Sequence, residues 1–213
     1  RRMRSGSAGP TLRELLTGIG VDPAAVSSGK HCVDFAKIAA FIEVHIEQSA
    51  RLDNAVTDRV GVVTGIRGLI RHRTIQAIGE TAHAGAVDFP YRKDAALACA
   101  RFSSRLYDFW QHELSLGRDL VATTGVIRTS PSASMNKIAG ECIVSLDARS
   151  LSAAELNLFE KKVEAILQET AEETGVIFKT DPLMRIAPGY PASQTFSILF
   201  EAALNRTFDS KDR

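Results

Sequence analysis

The chain has 213 residues and 23.1 kDa, with 45% hydrophobic residues, 24% charged residues and a mean hydropathy of -0.03. These are globular values that exclude disorder and fibrous repeats, and the length admits one domain, or a domain and a half, with a buried core. Lys+Arg 26 against Asp+Glu 25 leaves a net charge of +1, which offers no strong field to nucleic acid or an anionic membrane. Cys32, Cys99 and Cys142 are widely spaced and form no CxxC, which argues against a disulfide framework. No apolar run approaches the roughly 20 residues of a membrane span, and no signal-peptide core opens the chain. The expectation is a cytoplasmic protein with neither nucleic acid nor membrane as partner.

In chain order, Thr11 and Glu14 make a T-x-x-E capping box for a helix over Thr11 to Leu16, ended by Gly18 and Gly20. Phe35 to Ile46 is dense in apolar residues, and alternation from Phe41 onward predicts a helix running into a buried strand. Val60 to Ile66 predicts another strand, with glycines where a backbone approaches closely. Leu69 to Ile78 alternates as a half-buried strand, with Ile70, His72, Thr74, Gln76 and Ile78 on one face. Gly79 to Pro90 reads as a loop. Tyr91 to Leu116 reads as a long helix with Ala95, Cys99, Phe102, Leu106, Phe109 and Trp110 on one face. Leu120 to Arg128 and Gly140 to Arg149 read as strands around a polar loop. Ser152 and Glu155 form a second capping box, opening a helix that Gly175 ends, and Val176 to Lys179 is a last short strand.

The order strand, helix, strand, strand, helix, strand predicts an α+β fold. Its core is a split βαβ, ferredoxin-like block with a four-stranded antiparallel sheet and two helices. On this reading residues 67–180 are one self-contained domain, and 1–66 and 181–213 are pieces of a second, α/β domain that it interrupts. The chain opens on Arg1-Arg2-Met3 and stops on a charged run after an apolar helical pattern, so an excerpt of a longer protein is expected.

Four clusters carry candidate chemistry. His45-Ile46-Glu47-Gln48 follows the apolar stretch, where a histidine suits metal ligation or acid–base work; a hydrogen-bonded core histidine is the competing reading. In Gly79-Glu80-Thr81-Ala82-His83-Ala84-Gly85 small neighbours leave room beside the imidazole, or the segment is an ordinary turn. Asn136, in Ser134-Met135-Asn136-Lys137-Ile138-Ala139-Gly140, brings an amide that both donates and accepts, or is a hairpin-turn asparagine. Arg149, in Ser145-Leu146-Asp147-Ala148-Arg149, suits a carboxylate clamp, or is a solvated partner of Asp147.

Taken in order, and joined by Val60-Gly-Val-Val-Thr-Gly-Ile66 and Arg92-Lys-Asp-Ala95, these motifs resemble the amidase branch of the dinuclear-metal peptidases. That branch holds N-carbamoyl-L-amino-acid hydrolases, β-ureidopropionases and allantoate amidohydrolases. The resemblance implies a metal-dependent hydrolase of linear amide or ureido C–N bonds, with a split βαβ lid and dimerisation domain inserted in the catalytic domain. It implies His45 as a metal ligand, Gln48 facing the substrate, His83 stabilising the oxyanion, and Asn136 and Arg149 holding the substrate carboxylate. It implies two divalent ions in the complete enzyme (zinc, manganese, cobalt or nickel) and a homodimer joined through the lid, some of whose residues reach the partner's site. Departures are Ser49-Ala50 after H-I-E-Q, Ala86-Val87-Asp88-Phe89 after A-H-A-G, and Ala139 in place of the usual proline. The H-x-D, E-E-G and G-H-D motifs of the other ligands do not occur. By itself the chain is therefore expected to hold no metal tightly and to be inactive. A non-catalytic dimerisation module, or a truncated inactive homologue, is the alternative.

Overall fold

A computed structural model describes residues 9–29, 33–54 and 60–207. It divides into two units, Arg1–Ala50 and Arg51–Arg213.

The first unit is made of short, locally capped turns. Helix α1 (Leu12–Gly18) begins at the predicted capping box: the Thr11 hydroxyl accepts from Glu14 N, and the Glu14 carboxylate accepts from Thr11 N at 2.7 Å. Helix α2 (Pro23–Ser27) is capped by Asp22, and a 3-10 turn over Phe35–Lys37 by Asp34. The strand expected from Phe41 is not formed. Residues 41–48 have no regular structure, and Phe41 and Val44 are 85% and 97% exposed. A strand exists only through its ladder partners, and every strand among the described residues begins at Gly68 or later.

The second unit begins within a single helical turn, α3 (Ala50–Asp53). Its strands are β1 (Gly68–Ile78), β2 (Ala82–His83), β3 (Val121–Thr123), β4 (Ile127–Thr129), β5 (Lys137–Ile138), β6 (Glu141–Ser150), β7 (Ile177–Thr180) and β8 (Met184–Ile186). Its long helices are α4 (Ala95–Ser115), α5 (Ala153–Thr174) and α6 (Gln194–Thr207). The main sheet runs β3-β6-β1-β7, with β4 also on β6 and β8 also on β1, and every pairing is antiparallel. A separate ladder pairs β2 with β5. The fold is α+β. Helices α4 and α5 pack on β1 and β6, and the core between them contains Ile75, Val144 and Leu146 of the sheet with Phe102, Leu106, Phe159 and Ile166 of the helices.

Several boundaries moved for identifiable reasons. Helix α4 starts at Ala95 rather than Tyr91, because the Asp94 carboxylate caps Ala96 N and Leu97 N while Phe89–Tyr91 forms its own 3-10 turn. The strand expected over Leu120 to Arg128 is two pieces on one edge of β6: Thr123 opposes Asp147 and Ile127 opposes Val144, leaving an extra residue in the outer strand. The strand expected over Val60 to Ile66 is reduced to an isolated bridge, Ile66 with Gly189. Pro188 and Pro191 flank Gly189 and have no N–H to extend a ladder. The anticipated close approach does occur at Gly65, where a Cβ would sit 2.5 Å from the Tyr190 ring. At α5 the Ser152 hydroxyl accepts from Glu155 N, but the reciprocal bond is relayed: Ser152 N donates to Ser150 Oγ, which donates to Glu155. Gly175, at φ +65°, ends the helix in the left-handed region.

The strand β1 departs most from its simple alternation. Gly68 and Ile70 are buried, then Ile75 and Ala77, so the buried face changes parity within the strand. The register against β6 shifts between His72 and Ile75, a bulge that moves the later side chains to the opposite face. Asp181 fills the bulge, accepting from Arg73 N and Thr74 N, both at 3.3 Å, and lying 3.1 Å from His72 Nδ1. Burial raises the Asp181 carboxyl, and these hydrogen bonds outweigh it, so its pKa is lowered.

Cys99 and Cys142 are free thiols buried in the core, while Cys32 lies outside the described residues. Burial, then the neighbouring Cys142, pushes the Cys99 thiol up, so neither its position nor its ionisation favours reactivity. Among the described residues no helix is long and apolar enough to cross a membrane.

Candidate functional site

His45 and Gln48 belong to the first unit, and His83, Asn136 and Arg149 to the second. His45 is exposed, and its Nδ1 lies 2.6 Å from the Ile46 carbonyl oxygen. A carbonyl only accepts, so this contact places the proton on Nδ1 and leaves the Nε2 lone pair available to a metal. The Glu47 carboxylate accepts from Gln48 N at 2.9 Å and Ser49 N at 2.7 Å, fixing the turn that presents Gln48.

The loop bearing His83 is built by three elements meeting at the end of β1. Gly79 N donates to Gly140 O, Glu80 N to Lys93 O, and Ala95 N to Ala139 O, all within 2.8–2.9 Å. The loop is then held from below by Arg92, whose guanidinium donates to the Val87 and Ala84 carbonyls. In the short β2–β5 ladder His83 stands opposite Lys137, and Ala84 N donates to Asn136 O at 2.9 Å. The structure thus brings His83 and Asn136 together. His83 Nδ1 accepts from Gly85 N at 3.1 Å, which sets the tautomer with its proton on Nε2. Exposed and donating, that Nε2–H is suited to an oxygen that gains charge during reaction. The Asn136 side-chain oxygen accepts from Ser134 Oγ at 2.8 Å, which leaves its amide nitrogen to donate.

Arg149 lies elsewhere. It sits near the other end of β6, roughly 27 Å along the strand from Glu141 at the usual rise per residue. Its Nε donates to Asp147 Oδ1 at 2.7 Å, and its terminal nitrogens make no hydrogen bond among the described residues. Asp147 is shared: Arg71, directly opposite it on β1, donates from Nε and Nη2 to the other oxygen. Burial raises the Asp147 carboxyl, and the bonds from Arg149 and Arg71 outweigh it, so its pKa is lowered. The sequence reading missed Arg71 and Arg73, for which the available signal was two arginines at alternate positions of a strand facing Ser145-x-Asp147-x-Arg149.

A carboxyl whose folded pKa is depressed contributes stability above its unfolded pKa and loses it as pH falls through the folded value. Asp147→Asn is therefore expected to lower the urea midpoint at pH 7. The gap to the natural chain should narrow once the pH drops below about 4. Midpoints at pH 7 and pH 3 check this, and an equal gap at both would assign the loss to packing rather than charge.

No family model matches the chain. It is 28% identical over 204 residues to an N-carbamoyl-L-amino-acid amidohydrolase of Paenarthrobacter aurescens, covering 96% of this chain and 48% of that protein. It is 30% identical over 175 residues to an allantoate amidohydrolase of Bacillus subtilis, covering 82% of this chain and 41% of that one. A crystal structure of a hydantoinase/carbamoylase family amidase from Burkholderia vietnamiensis superposes with TM-score 0.68 at 26% identity, over 78% of this chain and 38% of that one. The first two relatives are named as amidohydrolases and the third as an amidase, and the identities and the superposition make this chain their homologue. More narrowly, it is related to the carbamoylase and allantoate-hydrolase amidases, and it spans less than half the length of the relatives it matches.

Proposed function

We propose that this chain supplies part of a metal-dependent hydrolase of linear ureido or amide C–N bonds, acting on a small carboxylate such as an N-carbamoyl amino acid or allantoate. The observation that carries the reading is the His83–Asn136 pair, docked by the β2–β5 ladder with the imidazole proton on Nε2. His83 would donate to the oxyanion of the tetrahedral intermediate. Gln48 would face the substrate, and the terminal nitrogens of Arg149 would clamp its carboxylate. His45, with a free Nε2, would be one metal ligand. Among the described residues no group of three or more His, Cys, Asp or Glu converges on a metal position. The donors among these residues therefore do not by themselves make a dinuclear centre.

The strand order β3-β6-β1-β7 with two helices on one face supports reading the second unit's core as the split βαβ lid, with residues 67–180 as that domain. Asn136 and Arg149 stand too far apart in one copy to grip one small carboxylate together. That separation supports a homodimer, joined through the lid, in which one of them serves the partner's site.

Arg149→Ala tests the clamp. In calorimetric titration with N-carbamoyl-L-alanine the variant is expected to bind at least about tenfold more weakly, the usual loss for a charge-assisted hydrogen bond. Binding that is unchanged in the variant would remove Arg149 from the site.

A further inference from the structure

Beside Arg149 the open face of the sheet, opposite the helices, carries a cleft of about 270 Å³ whose lining includes Arg71, Arg73, Thr123, Gly125, Ser145 and Asp147. It lies where two irregularities meet. The bulge of β1 turns Arg73 out of the ladder, and the break between β3 and β4 opens the opposite wall. The backbone there is already satisfied, since Val126 N donates to Ser145 Oγ and Ser145 N to Val126 O, both at 3.0 Å. What the cleft offers a ligand is therefore side-chain charge.

That charge is unbalanced. Among the described residues Asp147 is the only carboxylate lining the cleft, and it already accepts from both Arg71 and Arg149. Arg73 is exposed, and its guanidinium makes no ion pair or hydrogen bond among the described residues. Asp181, whose oxygens lie against the Arg73 and Thr74 backbone and His72, makes no ion pair with the Arg73 guanidinium among the described residues, and it lines a different cavity with Leu167 and Leu183. The register puts two more cations on the same face, Arg128 opposite Ile143 and Lys179 opposite Gln76, while Glu141 stands at its far end opposite Ile78. A monocarboxylate bound by Arg149 leaves this excess uncompensated. A second anionic group, displaced along the sheet toward Arg73, would neutralise it.

We infer that the cleft formed by Arg71, Arg73 and Ser145 beside Arg149 is a second anion subsite, and that the substrate is a ureido compound with two acidic groups, such as the N-carbamoyl derivative of an acidic amino acid. This rests on the clamp assignment made above for Arg149. Arg149 holds the carboxylate next to the ureido nitrogen, and Arg73 holds the side-chain carboxylate. Arg71 is a positioning residue that acts through Asp147, sharing it with Arg149 so that both guanidinium planes are fixed.

The test compares N-carbamoyl-L-glutamate with N-carbamoyl-L-glutamine, which differ in the charge of one terminal group, by calorimetric titration of the chain. The glutamate derivative is expected to bind about tenfold or more tightly, as one added charge-assisted contact gives. In Arg73→Met the ratio of the two affinities should fall toward one, and in Arg73→Lys, which keeps the charge, most of it should persist. Equal affinities in the natural chain, with both lost in Arg149→Met, would overturn the second subsite and leave the clamp standing. If neither compound binds, or both bind independently of Arg149, the clamp fails and the subsite fails with it. Circular dichroism of each variant separates lost contacts from lost fold.

Discussion

Phe102→Ala is expected to cost about 3–5 kcal/mol of unfolding free energy, the range for truncating a fully buried phenylalanine. Phe102 has no exposed surface and stands at the centre of the buried face of α4, with its ring 6.3 Å from that of Phe178 on β7. Removing it empties the contact between the helix and the sheet edge, and helices on one face of a sheet leave little room for compensating collapse. Urea denaturation followed by circular dichroism measures the change. A loss below about 1 kcal/mol would show that the core relaxes into the space, or that this helix contributes little to the unit's stability. The result bears on function, because α4 also anchors the loop of His83: its first residue, Ala95, donates to Ala139 next to the Asn136 turn.

The second large effect is expected at Gly79→Ala. A Cβ at Gly79 would lie 1.9 Å from the carbonyl oxygen of Lys93, an atom that accepts from Glu80 N and cannot swing away like a side chain. Either the chain entering α4 shifts or β1 does. Overpacking against backbone costs roughly 1–3 kcal/mol or more. The shift also loosens the bonds from Gly79 to Gly140 and from Ala95 to Ala139 that seat His83 beside Asn136. We expect a lowered urea midpoint together with displaced imidazole resonances of His83 in a two-dimensional NMR spectrum. Unchanged His83 signals in a destabilised variant would show that the loop is held by β2–β5 and Arg92 alone. Gly140 is the companion position, where a Cβ would approach Thr81 Oγ1 to 2.3 Å, which explains glycine at both ends of this junction.

Local signals in the sequence settled the helices. The T-x-x-E and S-x-x-E segments, the apolar stripe of α4 and Gly175 act within a turn or two of themselves, so α1, α4 and α5 formed within a few residues of where patterning places them, α4 beginning at Ala95 rather than Tyr91 and α1 running on to Gly18. The alternation of Glu141 to Ser150 likewise suffices for a central strand with one buried face. The motif order was enough to identify the carbamoylase and allantoate-hydrolase relatives, because several short segments in fixed sequence specify more than any one of them. The tertiary structure decided the rest, wherever the partner lies far along the chain. Phe41 to Ile46 has a strand's composition, but a strand requires a neighbour, and the described residues supply none. The parity of β1 depends on Asp181, more than a hundred residues away from Arg73 and Thr74, which fills the bulge and turns Arg73 out of the ladder. His83 meets Asn136, and Arg149 shares Asp147 with Arg71, through pairings between strands that no local pattern encodes. Residue type names the chemistry a side chain can perform, but cross-strand register determines which side chains perform it together.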